Sequence, residues 1–262
     1  VKTIFTVGNE QQPGDTLLLE IGPDYCCYAF FDPSAGAFNF IRYLSFSETE
    51  DDFGELLNEW STTPRDVVIC SGATQALLVP QKYYKPQPSL TAAVYDLDGY
   101  QELSDRIPEW QIVNTYALPA SLYEQLSRKF PDARYFHAYT PALKMGSGSD
   151  APQQVSLHFS TTHFRVLVKK EGQVVLAQTY GYKAPLDVVY FLLKICYEFG
   201  LDQSEVLVIV SGLVERDSAL FDELHHYFLN LQLAPAPAYA LPPSDHPSYY
   251  FTSLYNLAAC VS

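Results

Sequence analysis

Two kinds of apolar spacing alternate along this chain, and the whole alternation occurs twice. The first half opens with a short apolar run that ends in a tight turn, Leu17-Leu18-Leu19-Glu20-Ile21-Gly22. Two more runs follow, 25–32 and 38–46, rich in aromatic residues, with Gly36 between them. Runs of this composition bounded by turn residues predict strands. The period then changes. Phe53, Leu56, Leu57 and Trp60 stand at i, i+3, i+4 and i+7, which predicts an amphipathic helix with one buried face. A buried strand ending in Ser-Gly closes the series, Val67-Val68-Ile69-Cys70-Ser71-Gly72.

The second half repeats this order. Val155-Ser156-Leu157-His158-Phe159-Ser160 matches the first strand and turn, and 163–170 and 174–182, around Gly172, match the next two strands. Leu186, Val189, Tyr190 and Leu193, continued by Tyr197, predict the buried stripe of a second helix. Leu207-Val208-Ile209-Val210-Ser211-Gly212 matches the closing strand. The offset between copies stays at about 140 residues, a duplication of domain size. Each copy is therefore expected to be α/β with a mixed sheet. Three strands form an antiparallel meander, and a crossover helix lets the fourth strand run parallel to the first.

The Gly- and Ser-rich stretch 146–152 predicts a linker, so the expected domains are 1–150 and 151–262. After Ser211-Gly212 a helix is expected, capped by Asp217 or Ser218, with Leu220, Phe221, Leu224 and Phe228 facing inward. A Pro-rich strand or loop over 234–243 and a helix within 249–261 complete the second domain. In the first domain the corresponding helix is delayed. It is expected to start at Ser121, with Glu124 completing a capping box, which leaves roughly 77–118 as an insertion.

Composition narrows the function classes. Hydrophobic residues make up 48% of 262, enough for a large core. A formal net charge of −14 disfavours phosphate backbones and anionic membranes, so neither nucleic acid nor membrane insertion is expected. No apolar run approaches the length of a membrane span, and no signal peptide is legible. The five cysteines, Cys26, Cys27, Cys70, Cys196 and Cys260, include no CxxC and read as reduced residues of a cytoplasmic protein.

The ordered set of segments resembles the actin-like superfamily, which includes actin, sugar kinases, heat-shock chaperones and the bacterial assembly proteins PilM and FtsA. More closely, it resembles an uncharacterised family of actin-like ATPase-fold proteins known mainly from Bacteroidetes. Tyr255-Asn256-Leu257-Ala258-Ala259 after the Pro-rich stretch adds to the likeness. The resemblance implies two ribonuclease H-like lobes with a nucleotide cleft. Turns between the first two strands of each lobe would hold phosphates and Mg²⁺ through an Asp-x-Gly motif.

Carried onto this chain residue by residue, the phosphate turns fall at Glu20 and Gly22 and at Ser160 and Thr161, and the adenine turn at Ser211 and Gly212. All three depart from the motif. Glu20 replaces Asp and Pro23, which lacks an N–H, follows Gly22; 158–162 has neither carboxylate nor Gly; one glycine of the usual pair remains at Gly212. The expected function is a non-catalytic or weakly nucleotide-binding platform for an unidentified protein partner. No cofactor or metal is expected. An active ATPase or small-molecule kinase using ATP and Mg²⁺ is the alternative, and a ribonuclease H-type nuclease lacks the carboxylates it needs.

Other motifs are weaker. His158 and His163 need not share a face, and the adjacent His225 and His226 diverge on a helix. Asp96-Leu97-Asp98-Gly99 lacks the remaining ligands of a calcium loop. Ser71 and Ser211 lack the G-x-S-x-G flanks of a nucleophile. Tyr83, Tyr84, Tyr95, Tyr100 and Trp110 in the insertion either anchor a partner or pack the insertion onto its own lobe.

Overall fold

The structure, a computed structural model, describes residues 1–9, 15–46, 52–59, 64–86, 89–146, 149–236 and 238–261. Trp60 and the Ser147-Gly148 core of the expected linker lie outside the described residues. The chain divides into two compact units. The first comprises Val1–Met145, Ala238–Asp245 and Leu254–Ser262; the second comprises Gly146–Pro237 and His246–Ser253.

The first unit is built on strands β1 (Lys2–Gly8), β2 (Thr16–Ile21), β3 (Tyr25–Asp32), β4 (Ala37–Ser45), β5 (Asp66–Ser71) and β9 (Arg134–His137), in the order β1-β4-β3-β2-β5-β9. Strands β2, β3 and β4 form the antiparallel meander. Helix α1 (Asp52–Glu59) crosses over, and β5 then pairs parallel to β2. Phe53, Leu56 and Leu57 of α1 pack on Leu17, Leu19, Tyr28 and Phe40. Burial of each such side chain contributes about 1.5–3 kcal/mol.

The second unit repeats the plan with β10 (Gln153–Phe159), β11 (His163–Lys170), β12 (Gln173–Gly181), β13 (Leu207–Gly212) and β14 (Asn230–Leu233), ordered β12-β11-β10-β13-β14. Removing β1 from the first sheet leaves the same order, the same parallel β2·β5 and β10·β13 pairs, and a parallel fifth strand in each. Leu17–Ile21 and Val155–Phe159 are thus equivalent first strands of duplicated lobes. Helix α6 (Ala219–Tyr227) starts from Ser218, whose Oγ accepts from the Phe221 amide, and buries Phe221 and Leu224, with Phe228 just beyond.

Two expectations need correction. Helix α5 (Pro185–Phe199) buries Val188, Val189, Leu192, Ile195 and Cys196, whereas Leu186, Tyr190 and Tyr197 of the expected stripe are exposed. Helix α3 (Ala120–Lys129) begins one residue before Ser121, after Pro119, and no side chain caps it. Pro119 pre-sets the backbone there, so the Ser121–Glu124 box does not form. The stretch 234–243, expected as a strand or a loop, carries no strand among its described residues beyond the isolated bridge of Ala240 to Ala37; the fifth strand of the second sheet is β14, just before it. Strands β1 and β9 were not anticipated at all.

The insertion is a small sheet, β6 (Ala76–Pro80), β8 (Ile112–Pro119) and β7 (Tyr100–Ile107), with the short helix α2 (Leu90–Val94). Three of its five aromatics bond within their own unit. Tyr84 donates to Ser104 Oγ, Tyr95 to the Ala76 carbonyl, and Trp110 to the Leu143 carbonyl, and all three rings are half-buried. Among the five, Tyr83 alone is more than half exposed.

Candidate functional site

The side chains of β2 alternate between two covered faces, as the period of a strand requires. Leu17, Leu19 and Ile21 enter the core under α1 and α3. Leu18 and Glu20 take the other face, and both are fully buried. A buried carboxylate needs a partner, and Tyr25, the first residue of β3, supplies one. Its hydroxyl donates to Glu20 Oε1 at 2.6 Å. The Tyr25 ring stacks on Tyr43 at 5.2 Å and 9°, and Tyr43 contacts Phe5 at 5.5 Å.

The same ring occupies the space over the turn. A Cβ added at Gly22 would sit 1.9 Å from the Tyr25 ring, and one at Gly72 would sit 3.0 Å from its hydroxyl. Gly22 is therefore required by the ring that covers it. Three amides here are already bonded: Gly22 N–H to the Tyr25 carbonyl, Gly72 N–H to the Ile21 carbonyl, and Ala73 N–H to Ser71 Oγ. Cys26 and Cys27 lie alongside. Burial first, and then the Glu20 charge, push both thiols well above their ordinary range.

In the second unit, the Ser160 amide and hydroxyl both donate to the His163 carbonyl, and the Tyr182 hydroxyl donates to the Ser160 carbonyl. Thr161 is exposed in this turn. Ser211 donates its proton to the Leu157 carbonyl at 2.9 Å, so His158 Nδ1, 3.0 Å away, is the donor to Ser211 Oγ. A histidine in that tautomer cannot take the serine proton, so the pair is not a nucleophile and its base. Gly212 has φ +82°, and a Cβ there would meet the Phe159 carbonyl oxygen at 2.1 Å. It is fixed by close backbone approach.

A cluster that sequence reasoning missed lies deeper in the first unit. Asp105 of β7 accepts from the His137 amide at 2.8 Å, from Thr140 Oγ1 at 2.7 Å and from the Tyr116 hydroxyl at 3.3 Å. Burial raises its carboxyl to about 6, partly offset by these donors. The His137 ring is fully buried. Its Nδ1 accepts from the Tyr139 amide, so Nε2 carries the proton and donates to the Ala73 carbonyl. Thr140 belongs to α4 (Tyr139–Met145), so the network ties the inserted sheet to β9 and α4. An acid at an inward strand position next to an inward Tyr is a signal only once the strand register is known.

The remaining candidates are structural. Asp96 Oδ1 accepts from the Asp98 amide in a turn with Gly99 at φ +75°. Beside α2 lies a recess of about 490 Å³; Ser89 in its wall caps α2 and bonds Glu102. Among the described residues no group of three or more His, Cys, Asp or Glu could hold a metal ion, and no helix is long and apolar enough to cross a membrane.

Among solved structures, a Bacteroides thetaiotaomicron protein with actin-like ATPase fold and unknown function is similar at TM-score 0.78, with 14% identity over 94% of this chain and 95% of that one. The PilM-PilN type IV pilus biogenesis complex follows at 0.59, with 13% identity over 95% of this chain and 99% of that one. The ethanolamine utilization protein EutJ from Carboxydothermus hydrogenoformans reaches 0.51, with 8% identity over 96% and 92%. At these identities the likeness concerns the fold, which is the actin-like ATPase fold. A search of curated proteins found no match. The sequence profile of DUF3822, a protein family of unknown function, matches residues 6–231, and the chain belongs to that family.

Proposed function

We propose that this protein is a nucleotide-silent member of the actin-like fold that serves as a platform for another protein in the cytoplasm. The observation that carries this reading is the Glu20–Tyr25 pair. A metal-bound nucleotide needs an exposed carboxylate and unused amides at the turn. Here the carboxylate is buried under a tyrosine that bonds it, the ring lies over Gly22, and the Gly22, Gly72 and Ala73 amides are bonded within the chain. The second turn, with Ser160 and Thr161, offers no carboxylate at all. These residues do not fit Mg²⁺ and ATP, and no hydrolytic step is derived from them.

A fold kept without the groups for turnover is suited to recognition. One similar structure, PilM-PilN, is itself a complex of two proteins. The five cysteines form no disulfide and four of them are buried, which suits a reducing compartment.

Calorimetric titration with ATP and Mg²⁺ tests the silent site. No saturable heat is expected up to about 1 mM ligand, which corresponds to binding weaker than about −4 kcal/mol. A turnover on the order of 1 per second, abolished by Glu20→Gln, would overturn the reading and establish an ATPase or kinase. The platform role predicts that the proteins co-purifying with this chain are the same with and without ATP and Mg²⁺.

A further inference from the structure

The stripe on α5 that sequence periodicity assigned to the core is an apolar face turned to solvent. Leu186, Tyr190 and Tyr197 are 59%, 62% and 89% exposed. With the half-buried Leu193 they fall within about 60° of one another on a helix of 3.6 residues per turn. Asp187, Lys194 and Glu198 form a second stripe about 90° away, always on the same flank, and exposed Lys183 precedes the helix, its amide donating to the Asp187 carboxylate.

We infer that α5 is the seam of a two-fold dimer, in which it packs antiparallel against α5 of a second copy of this chain. The order of charges selects that occupant. Along the chain the flank reads Lys183, Asp187, Lys194, Glu198, which is plus, minus, plus, minus. Reversed and laid beside itself about the point between Tyr190 and Phe191, the pattern sets Lys183 opposite Glu198 and Asp187 opposite Lys194, each twice. A two-fold axis through the seam, normal to the plane of the two helices, keeps the same flank of both on one side, so the opposite charges meet. A parallel pairing has its two-fold along the helices, which turns the two flanks to opposite sides and leaves these charges without partners. The apolar residues share this centre to within one residue: Leu186 comes opposite Tyr197, and Tyr190 opposite Leu193. Isologous contacts of this self-complementary kind are the commonest in oligomers.

The three exposed side chains offer roughly 400 Å² per copy, about half of what a stable interface uses, and the stems of the lysines and Glu198 add to it. A dimer with a dissociation constant of roughly 1–100 µM is the expected strength. The surface lies wholly within the second unit and does not depend on whether Glu20 is silent.

Sedimentation equilibrium of the intact chain, from about 1 to 200 µM at about 0.15 M salt, tests this. The wild type is expected to dimerise over that range, and Tyr190→Ser/Tyr197→Ser to remain monomeric. Lys183→Glu and Glu198→Lys should each weaken the dimer about tenfold, because each reversal acts twice. The double reversal should restore it, and so should an equimolar mixture of the two single variants. Both reversals favour the helix dipole, and the tyrosines are exposed, so unchanged circular dichroism is expected for every variant. A wild type that stays monomeric at 200 µM overturns the proposal. So does a dimer indifferent to the tyrosines, or a double reversal no stronger than the singles.

Discussion

Tyr25→Phe removes one oxygen from the interior and leaves nearly everything else in place. The ring still stacks on Tyr43 and still covers Gly22. What is lost is the 2.6 Å donor to a carboxylate that is 1% exposed. A hydrogen bond to a charged group contributes about 1.5–3 kcal/mol, and uncovering a buried charge pushes the cost toward the upper end. For a chain of this size, about 2–3 kcal/mol corresponds to a fall of roughly 4–12 °C in Tm. Both tryptophans, Trp60 and Trp110, belong to the first unit, so intrinsic fluorescence during urea unfolding reports on the unit that holds the pair. Glu20→Gln closes a double-mutant cycle, with an expected coupling of about 2 kcal/mol between positions 20 and 25. A Tyr25→Phe protein within about 0.5 kcal/mol of wild type would refute the reasoning. The carboxylate would then be held by something other than Tyr25, and the argument for a silent turn would lose its main support.

Asp105 makes stability depend on pH with an unusual sign. Its folded pKa, about 6, lies above the ordinary 3.8, so the folded state holds the proton longer; the contribution of Asp105 is fully present below about 4, is lost, by about 3 kcal/mol, as pH rises to about 6, and is flat above. Asp105→Asn keeps an acceptor for His137 and Thr140 and a donor toward Tyr116, and should abolish that slope in urea midpoints measured from pH 4 to 7. Gly212→Ala should cost about 3 kcal/mol or more, read as loss of soluble protein or a large drop in Tm, since the new Cβ meets the Phe159 backbone at a φ of +82°. Cys26 and Cys27, buried with raised thiol pKa values, should resist iodoacetamide at pH 8 in the native protein and react on unfolding; native labelling at the rate of a small-molecule thiol would contradict their burial.

The duplicated plan was legible because its strands are long, apolar and bounded by turn residues. Tyr25–Asp32, His163–Lys170 and Leu207–Gly212 are the same in sequence reading and structure. What escaped notice were the short edge strands. Strands β9 and β14 span four residues each, too few to show a period, and β1 is mostly exposed. Helix α5 illustrates a different limit. It carries two apolar stripes, Val188-Leu192-Ile195 and Leu186-Tyr190-Tyr197, and periodicity fits both equally well; only the β10–β13 sheet decides which one is covered. At the candidate site, Glu20 and Gly22 could be read from the chain. The role of Tyr25 could not, because it depends on the ring folding back across the turn. The Asp105 network depends on pairing among β7, β8 and β9, which no local pattern encodes.

The first unit is discontinuous in sequence, since Ala238–Asp245 and Leu254–Ser262 belong to it although all of Gly146–Pro237 intervenes. Leu254, Tyr255, Leu257 and Ala258 are buried, and the Cys260 carbonyl accepts from Arg134, which also pairs with Asp66. A ribosome therefore delivers the second unit's whole sheet before it delivers the last pieces of the first. The lobe synthesised first must wait longest, with Phe31 and Phe38 lacking the Tyr239 ring that meets them and Phe38 also lacking Tyr255. A nascent chain stalled before residue 238 should present those aromatics to chaperones while its second sheet is already closed.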